Sequence, residues 1–161
     1  ITVASRECFK WSQTQPESVS EKTGKPDNRA AYGTLGREMI RWLTHLQHAS
    51  MSIVVVGILD QEKDDLNRIT WSPQIEGSKT GRELPGIFDQ VVTIQNMKAE
   101  DGSMYRAFVC QQQNPWGYPA KDRSGRLELL EAPDLGALIH KIREGKRLDT
   151  TITTTLPTKQ S

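Results

Sequence analysis

The chain has 161 residues, 35% hydrophobic and 25% charged, which suits one soluble globular domain, or a part of one, with a real core and excludes a disordered chain. Its 21 Lys and Arg against 20 Asp and Glu leave a net charge of +1, against a strongly basic nucleic-acid binder but compatible with a local basic patch. No signal-peptide pattern is seen, and the longest apolar run, Ile53 to Leu59, is far too short to cross a bilayer.

Cys8 and Cys110 lie far apart in apolar contexts and fit no metal-ligand spacing. They read as reduced core residues of a cytoplasmic protein, with a single disulfide as the alternative. The first residue is Ile1 rather than Met, as expected of a processed chain or of a piece of a longer one.

From the amino terminus, Ile1, Ala4, Cys8 and Trp11 recur at helical spacing with Arg6, Glu7 and Lys10 opposite, so an amphipathic helix is expected, ending before Pro16. Gln13 to Arg29 is polar, with Gly24 and Pro26, and predicts an exposed loop. Leu35, Met39, Trp42, Leu43 and Leu46 then form one apolar stripe of a helix from about Ala31 to Ala49, with Thr34 as a cap. Ser52 to Leu59 follows at once. It is uncharged, β-branched and unalternating, which predicts a strand of a parallel sheet covered on both faces. A helix joined so tightly to such a strand is half of a βαβ unit.

Asp60 to Leu84 is polar, contains Pro73, Gly77 and Gly81, and carries Lys63, Arg68, Lys79 and Arg82. It predicts a long functional or mobile loop. Leu84-Pro85-Gly86-Ile87-Phe88-Asp89 reads as a tight turn into a strand over Gln90 to Asn96. Glu100 to Ser103 turns the chain into a second strand from Met104 to Gln112, completing an antiparallel hairpin. Asn114 to Pro119 is a loop offering Trp116 and Tyr118. Leu127 to Glu131 is a further strand, and Pro133 to Arg143 a short helix with Leu135, Leu138, Ile139 and Ile142 on its apolar side. Residues 1–147 therefore make the domain, and the Thr-rich stretch 148–161 is expected to be a flexible tail.

The most suggestive chemistry is Ala120-Lys121-Asp122-Arg123-Ser124-Gly125. Lys121 and Arg123 are two residues apart, so on an extended strand end they point the same way, and Gly125 frees the backbone to turn. Such a loop can hold an ammonium and a guanidinium against a phosphate chain, or it can be an ordinary charged turn. Gln61, directly after the predicted central strand, can sense a terminal phosphate by hydrogen bonding or serve structure alone. Asp60, Glu62, Asp64 and Asp65 follow the same strand and either orient water or Mg²⁺ or make a solvated acidic turn.

A Gly-x-x-x-x-Gly-Lys-Ser/Thr phosphate loop is absent. Gly77-Ser78-Lys79-Thr80 and Gly24-Lys25 are superficial lookalikes, lacking that order and a strand before and helix after, and are expected to be loop residues. His45 and His48 share a helix face, but no third ligand is evident, so a solvated face is expected. No Ser-His-Asp or Cys-His spacing points to covalent catalysis.

The order of elements, with Tyr32-Gly33-Thr34-Leu35-Gly36-Arg37-Glu38, the run Ile53 to Leu59, Leu84 to Asp89 and Ala120 to Gly125, resembles the second half of a RecA-like ATPase. The resemblance runs from Ile1 to about Arg143. It is strongest to phage-encoded RecA-like, AAA-family nucleotide-binding proteins associated with single-strand annealing and recombination. It implies an α/β fold: a partial RecA-like (P-loop NTPase) core with parallel strands, an antiparallel hairpin and flanking helices.

The Lys-x-Arg-x-Gly pattern also resembles the loop by which DnaB-type helicases reach a neighbour's active site. The resemblance implies that Lys121 and Arg123 contact the γ-phosphate of ATP on an adjacent subunit, with Gln61 as phosphate sensor. It further implies that Lys63, Arg68, Lys79 and Arg82 lie in the region that contacts DNA in recombinases. In that family the phosphate loop and the Mg²⁺-coordinating acid precede the segment equivalent to Ile1. ATP and Mg²⁺ are therefore expected in a complete ATPase, and no cofactor and no hydrolysis in this chain alone. The implied partners are other RecA-like subunits or self-association, with single-stranded DNA, in the cytoplasm of a bacterial or phage-infected cell. A non-catalytic module that binds a protein or single-stranded DNA through Trp116 and Tyr118 is the alternative.

Overall fold

The computed structural model describes residues 1–63, 67 and 69–148, apart from the side chains of Ser78, Lys79 and Arg82. Two helices open the chain, α1 (Thr2–Gln13) and α2 (Asn28–Gln47), joined by a 3₁₀ turn at Pro16–Ser18. The start of α2 has a clear local cause. The Asp27 carboxylate accepts from the backbone N–H of Arg29 (2.9 Å) and Ala30 (3.2 Å), capping amides that have no partner in the helix. Thr34, the expected cap, is instead a buried residue inside α2.

The two helices pack on each other, with Phe9 of α1 stacked on Tyr32 of α2 at 4.3 Å. The buried residues of α1 are Thr2, Ser5 and Ser12, while Trp11 is 48% exposed, so the inward face is rotated away from the predicted apolar stripe. Serine can sit there because its hydroxyl is satisfied locally: Ser5 donates to the Thr2 carbonyl and Ser12 to that of Cys8, both at 2.8 Å. The inner face of α2 is Ala31, Leu35, Met39 and Leu43, at the expected period, whereas Trp42 is exposed.

The predicted buried strand over 53–59 does not form. Residues 52–58 are neither helix nor strand, and Ile53, Val54, Val56 and Ile58 are exposed. Among the described residues no strand lies beside this run; the start of α1 lies against it at Gly57, Val55 is half-buried, and most of its apolar side chains are left exposed. Every strand pairing among the described residues is antiparallel, which corrects the expectation of parallel strands and of a βαβ half-unit.

The expected long loop is structured. β1 (Leu59–Lys63) and β2 (Ile69–Pro73) make an antiparallel hairpin whose turn includes Asn67 at φ 58°, a left-handed conformation that asparagine tolerates. α3 (Ser78–Ile87) follows, with Pro85 inside it, so Leu84 to Ile87 is the last turn of a helix rather than a tight turn.

The carboxyl-terminal half carries the sheet. β3 (Gln90–Val91) pairs with β6 (Lys121–Asp122), and β4 (Thr93–Lys98), β5 (Met104–Val109) and β7 (Leu130–Glu131) form an antiparallel sheet in the order β4-β5-β7. The predicted hairpin is present, from Thr93↔Val109 to Lys98↔Met104. Met97, Ala107, Val109 and Ala120 pack on one side, and Phe108, Cys110, Leu127 and Leu138 on the other. The second cluster takes Leu138 from α4 (Leu135–Glu144), whose N-cap Asp134 accepts from the Ala137 amide at 2.9 Å. Both cysteines are free, Cys8 half-buried and Cys110 buried.

Candidate functional site

The loop from Lys121 to Leu127 is organised by a side chain that the sequence did not single out. The Asp122 carboxylate accepts from the Ser124 hydroxyl (2.6 Å) and from the backbone N–H of Ser124, Arg126 and Leu127, each at 2.9 Å. Partial burial pushes its pKa up, but these hydrogen bonds outweigh it and hold the carboxyl below its ordinary value. Gly125, at φ +65°, makes the bend, and its carbonyl accepts from the Leu148 amide at 2.8 Å. Arg126 donates to the carbonyls of Ile142 and Arg143, tying the loop to the end of α4.

Lys121 and Arg123 both contact the segment that ends α3. The Lys121 ammonium donates to the carbonyl oxygens of Pro85 (3.0 Å), Gly86 (3.4 Å) and Phe88 (2.8 Å), closing a helix end together with the Gln47 amide, which donates to the Ile87 carbonyl. Arg123 pairs with Asp89 at 2.5 Å, and both side chains are mostly exposed, at 57% and 72%. The two cations are therefore unequal: Lys121 is engaged by the chain itself, while Arg123 stands at the surface held by one exposed carboxylate.

Other predicted positions do not gather around this loop. Gln61 lies opposite Trp71 in the β1–β2 hairpin, exposed, and not at the end of a buried strand. Asp60, Glu62 and Lys63 are exposed on the same strand. Asp64, Asp65 and Arg68 lie outside the described residues, as do the side chains of Lys79 and Arg82, although their backbone belongs to α3. The stretch 149–161 also lies outside them. Among the described residues no group of three or more His, Cys, Asp or Glu is placed to hold a metal ion. His45 and His48 are exposed near the end of α2. No helix of the described residues is long and apolar enough to cross a membrane.

Two features were missed from sequence. Trp71 joins the expected aromatic pair: its ring lies 5.3 Å from Tyr118, which stacks at 6.4 Å on Trp116. A cleft of about 810 Å³ opens between α2 and α3, with Arg37 and Arg41 on one wall and Gly77 and Thr80 on the other. Arg37 and Arg41 are four residues apart, hence on one helix face, and that spacing was the available signal. The aromatic cluster had none, because β2 and the 114–119 loop meet only in the folded chain.

A family model described as an AAA domain matches residues 1–124. No curated protein and no solved structure matches the chain.

Proposed function

The chain belongs to the AAA domain family, an ATPase-related family, and from that premise we propose that it is part of an ATP-dependent DNA recombination or annealing ATPase. In this reading it supplies an arginine in trans to ATP held, with Mg²⁺, by a neighbouring subunit, and is inactive alone. The observation that carries the reading is the loop of Asp122: a rigid, multiply bonded turn that holds Arg123 at the surface. A guanidinium prepositioned in this way stabilises charge as it develops on a transferring phosphoryl group, and contributes roughly 10³–10⁵ in rate.

Lys121 takes a different part from the one expected of it. With three carbonyls around its ammonium, it is a positioning residue that fixes the loop against the end of α3. Gln61 has no sensor role in this reading, because it lies exposed in the β1–β2 hairpin and not at the end of a buried strand. Association with like subunits is supported by the exposed apolar run Ile53 to Ile58 and by the position of Arg123 at the surface.

The test is Arg123→Ala in the assembled ATPase. DNA-stimulated turnover falls by about 10³ or more while nucleotide affinity stays within about twofold. Equal loss of turnover and affinity overturns a role in trans.

One observation favours a second reading, a non-catalytic module for single-stranded DNA. Trp116 is 38% exposed and continues a three-ring cluster with Tyr118 and Trp71, near the hairpin that carries Lys63. Exposed rings of this kind stack on bases at about 1–3 kcal/mol each. Trp116→Ala separates the two readings. In the second it abolishes oligothymidylate binding by the isolated chain, and in the first it leaves the Arg123 effect intact.

A further inference from the structure

We propose that the cleft between α2 and α3 is a phosphate-binding site, built from the amino-terminal amides of α3, the Thr80 hydroxyl, Arg37 and Arg41. Gly77-Ser78-Lys79-Thr80, expected to be mere loop, is the start of a helix: β2 ends at Pro73, Gly77 is the N-cap, and α3 begins at Ser78. The strand before and helix after that the motif lacked on paper are thus both present. Gly77 sits at φ +82°, a conformation that only glycine adopts without strain, and it offers no side chain to cap the helix. Among the described residues no side chain caps the first-turn amides of α3, and a helix amino terminus favours an anion.

Independent features of the cleft point to the same ligand chemistry. Thr80 is 5% exposed yet lines the opening, and a Cβ placed on Gly36 comes within 3.2 Å of its hydroxyl. Glycine at position 36 thus lets the two helices approach until the hydroxyl faces the wall that carries the arginines. Arg37 and Arg41 enter no ion pair among the described residues, and the hydrogen bond given for Arg37 goes to the Thr34 hydroxyl at 3.1 Å. Guanidinium groups match phosphate oxygens in fork geometry. Glu83 is the only acid among the described lining residues, against Arg37 and Arg41. The opening falls in the size range of small-ligand sites, about 300–1,000 Å³. Tyr32, 43% exposed and stacked on Phe9 at 4.3 Å, stands on its rim as a flat surface for a base.

The shared chemistry is a phosphate group, carried either by a free nucleotide or by the backbone of single-stranded nucleic acid. None of the residues involved belongs to the Arg123 loop, so the site stands or falls separately from the action in trans.

The experiment is amide-resolved NMR of the whole chain, titrated with pyrophosphate, with adenosine diphosphate and with oligothymidylate, at about 0.15 M salt. Pyrophosphate shifts the amides of Gly77 to Thr80 saturably, and the paired change Arg37→Ala and Arg41→Ala weakens this by about tenfold or more with the remaining spectrum unchanged. Both arginines are exposed, so the variant keeps the fold. Added shifts at Tyr32 with adenosine diphosphate identify a nucleotide as the source, and displacement of pyrophosphate by oligothymidylate identifies nucleic acid. No saturable shift at residues 77–80 with any of the three, or undiminished binding in the paired variant, overturns the proposal.

Discussion

Ile53 to Leu59 and Met104 to Cys110 are both rich in residues that favour strands, and they meet opposite fates. β5 is paired on both edges, with β4 over its length and with β7 at Phe108 and Val109, and its last residues are fully covered by clusters on either face. Among the described residues the run 53–58 has no strand on either edge. Its backbone contacts among the described residues are scattered: the Val56 carbonyl accepts from the Ile1 amino group, the Ile58 amide donates to the Thr2 hydroxyl (3.1 Å) and the Ile58 carbonyl accepts from the Gln74 amide (2.7 Å). Propensity for extended structure is equal or better in the first run, so what differs is supply of partners. A strand is a property of a sheet, and β-propensity reads mainly as fitness for a pleated, half-buried surface.

The largest effect expected of this contrast comes from placing the same charge in each run. Val109→Asp buries a carboxylate at a position with no exposure and costs more than about 3 kcal/mol, whereas Val56→Asp, at a position 76% exposed, changes stability by about 0.5 kcal/mol or less. Urea unfolding followed by circular dichroism measures both. A large loss at Val56 would mean that the run is covered in solution, and self-association seen by sedimentation would then name the cover.

Thiol chemistry sharpens the same comparison. Burial, aided by the nearby carboxylates of Glu131 and Asp122, pushes the Cys110 thiol up to about 12. A cysteine placed at Val56, in a chain with Cys8→Ser, keeps an ordinary thiol and reacts with a thiol reagent at pH 8 roughly 10³ times faster than Cys110. Comparable rates would show that the end of β5 opens readily.

The smallest of these effects belongs to the Asp122 loop, which leans on the β5 side of the molecule through Leu127. Removing the carboxylate in Asp122→Ala costs about 1–2 kcal/mol, because the site is partly solvated and screening reduces the worth of its hydrogen bonds. The sign of its pH dependence follows from a folded pKa lying below the ordinary value of 3.8. The carboxylate stabilises the fold fully above about pH 4–5, and that contribution fades as pH falls through the folded pKa. The difference in urea midpoint between the parent chain and Asp122→Asn therefore shrinks between about pH 5 and pH 2. A difference that stays constant over that range would show that the ionised form carries no special weight.

Local signals alone determined a good part of this protein. The spacing of apolar residues set α2 and its inner face, the alternation and the Glu100–Ser103 turn set the β4–β5 hairpin, and the period of Leu135, Leu138, Ile139 and Ile142 set α4, because each depends on neighbours a few residues away. The pattern Lys121 to Gly125 marked a loop of interest for the same reason. Only the tertiary structure decided the rest. It left the run 53–58 uncovered, put polar Thr2, Ser5 and Ser12 on the inner face of α1, and turned Gly77 to Thr80 into a helix start facing Arg37 and Arg41. It also engaged Lys121 with the end of α3 while leaving Arg123 at the surface, each pairing spanning more than thirty positions along the chain. Which cation is held and which is left outward depends on carbonyls that a helix end brings near, and linear spacing carries no record of that approach.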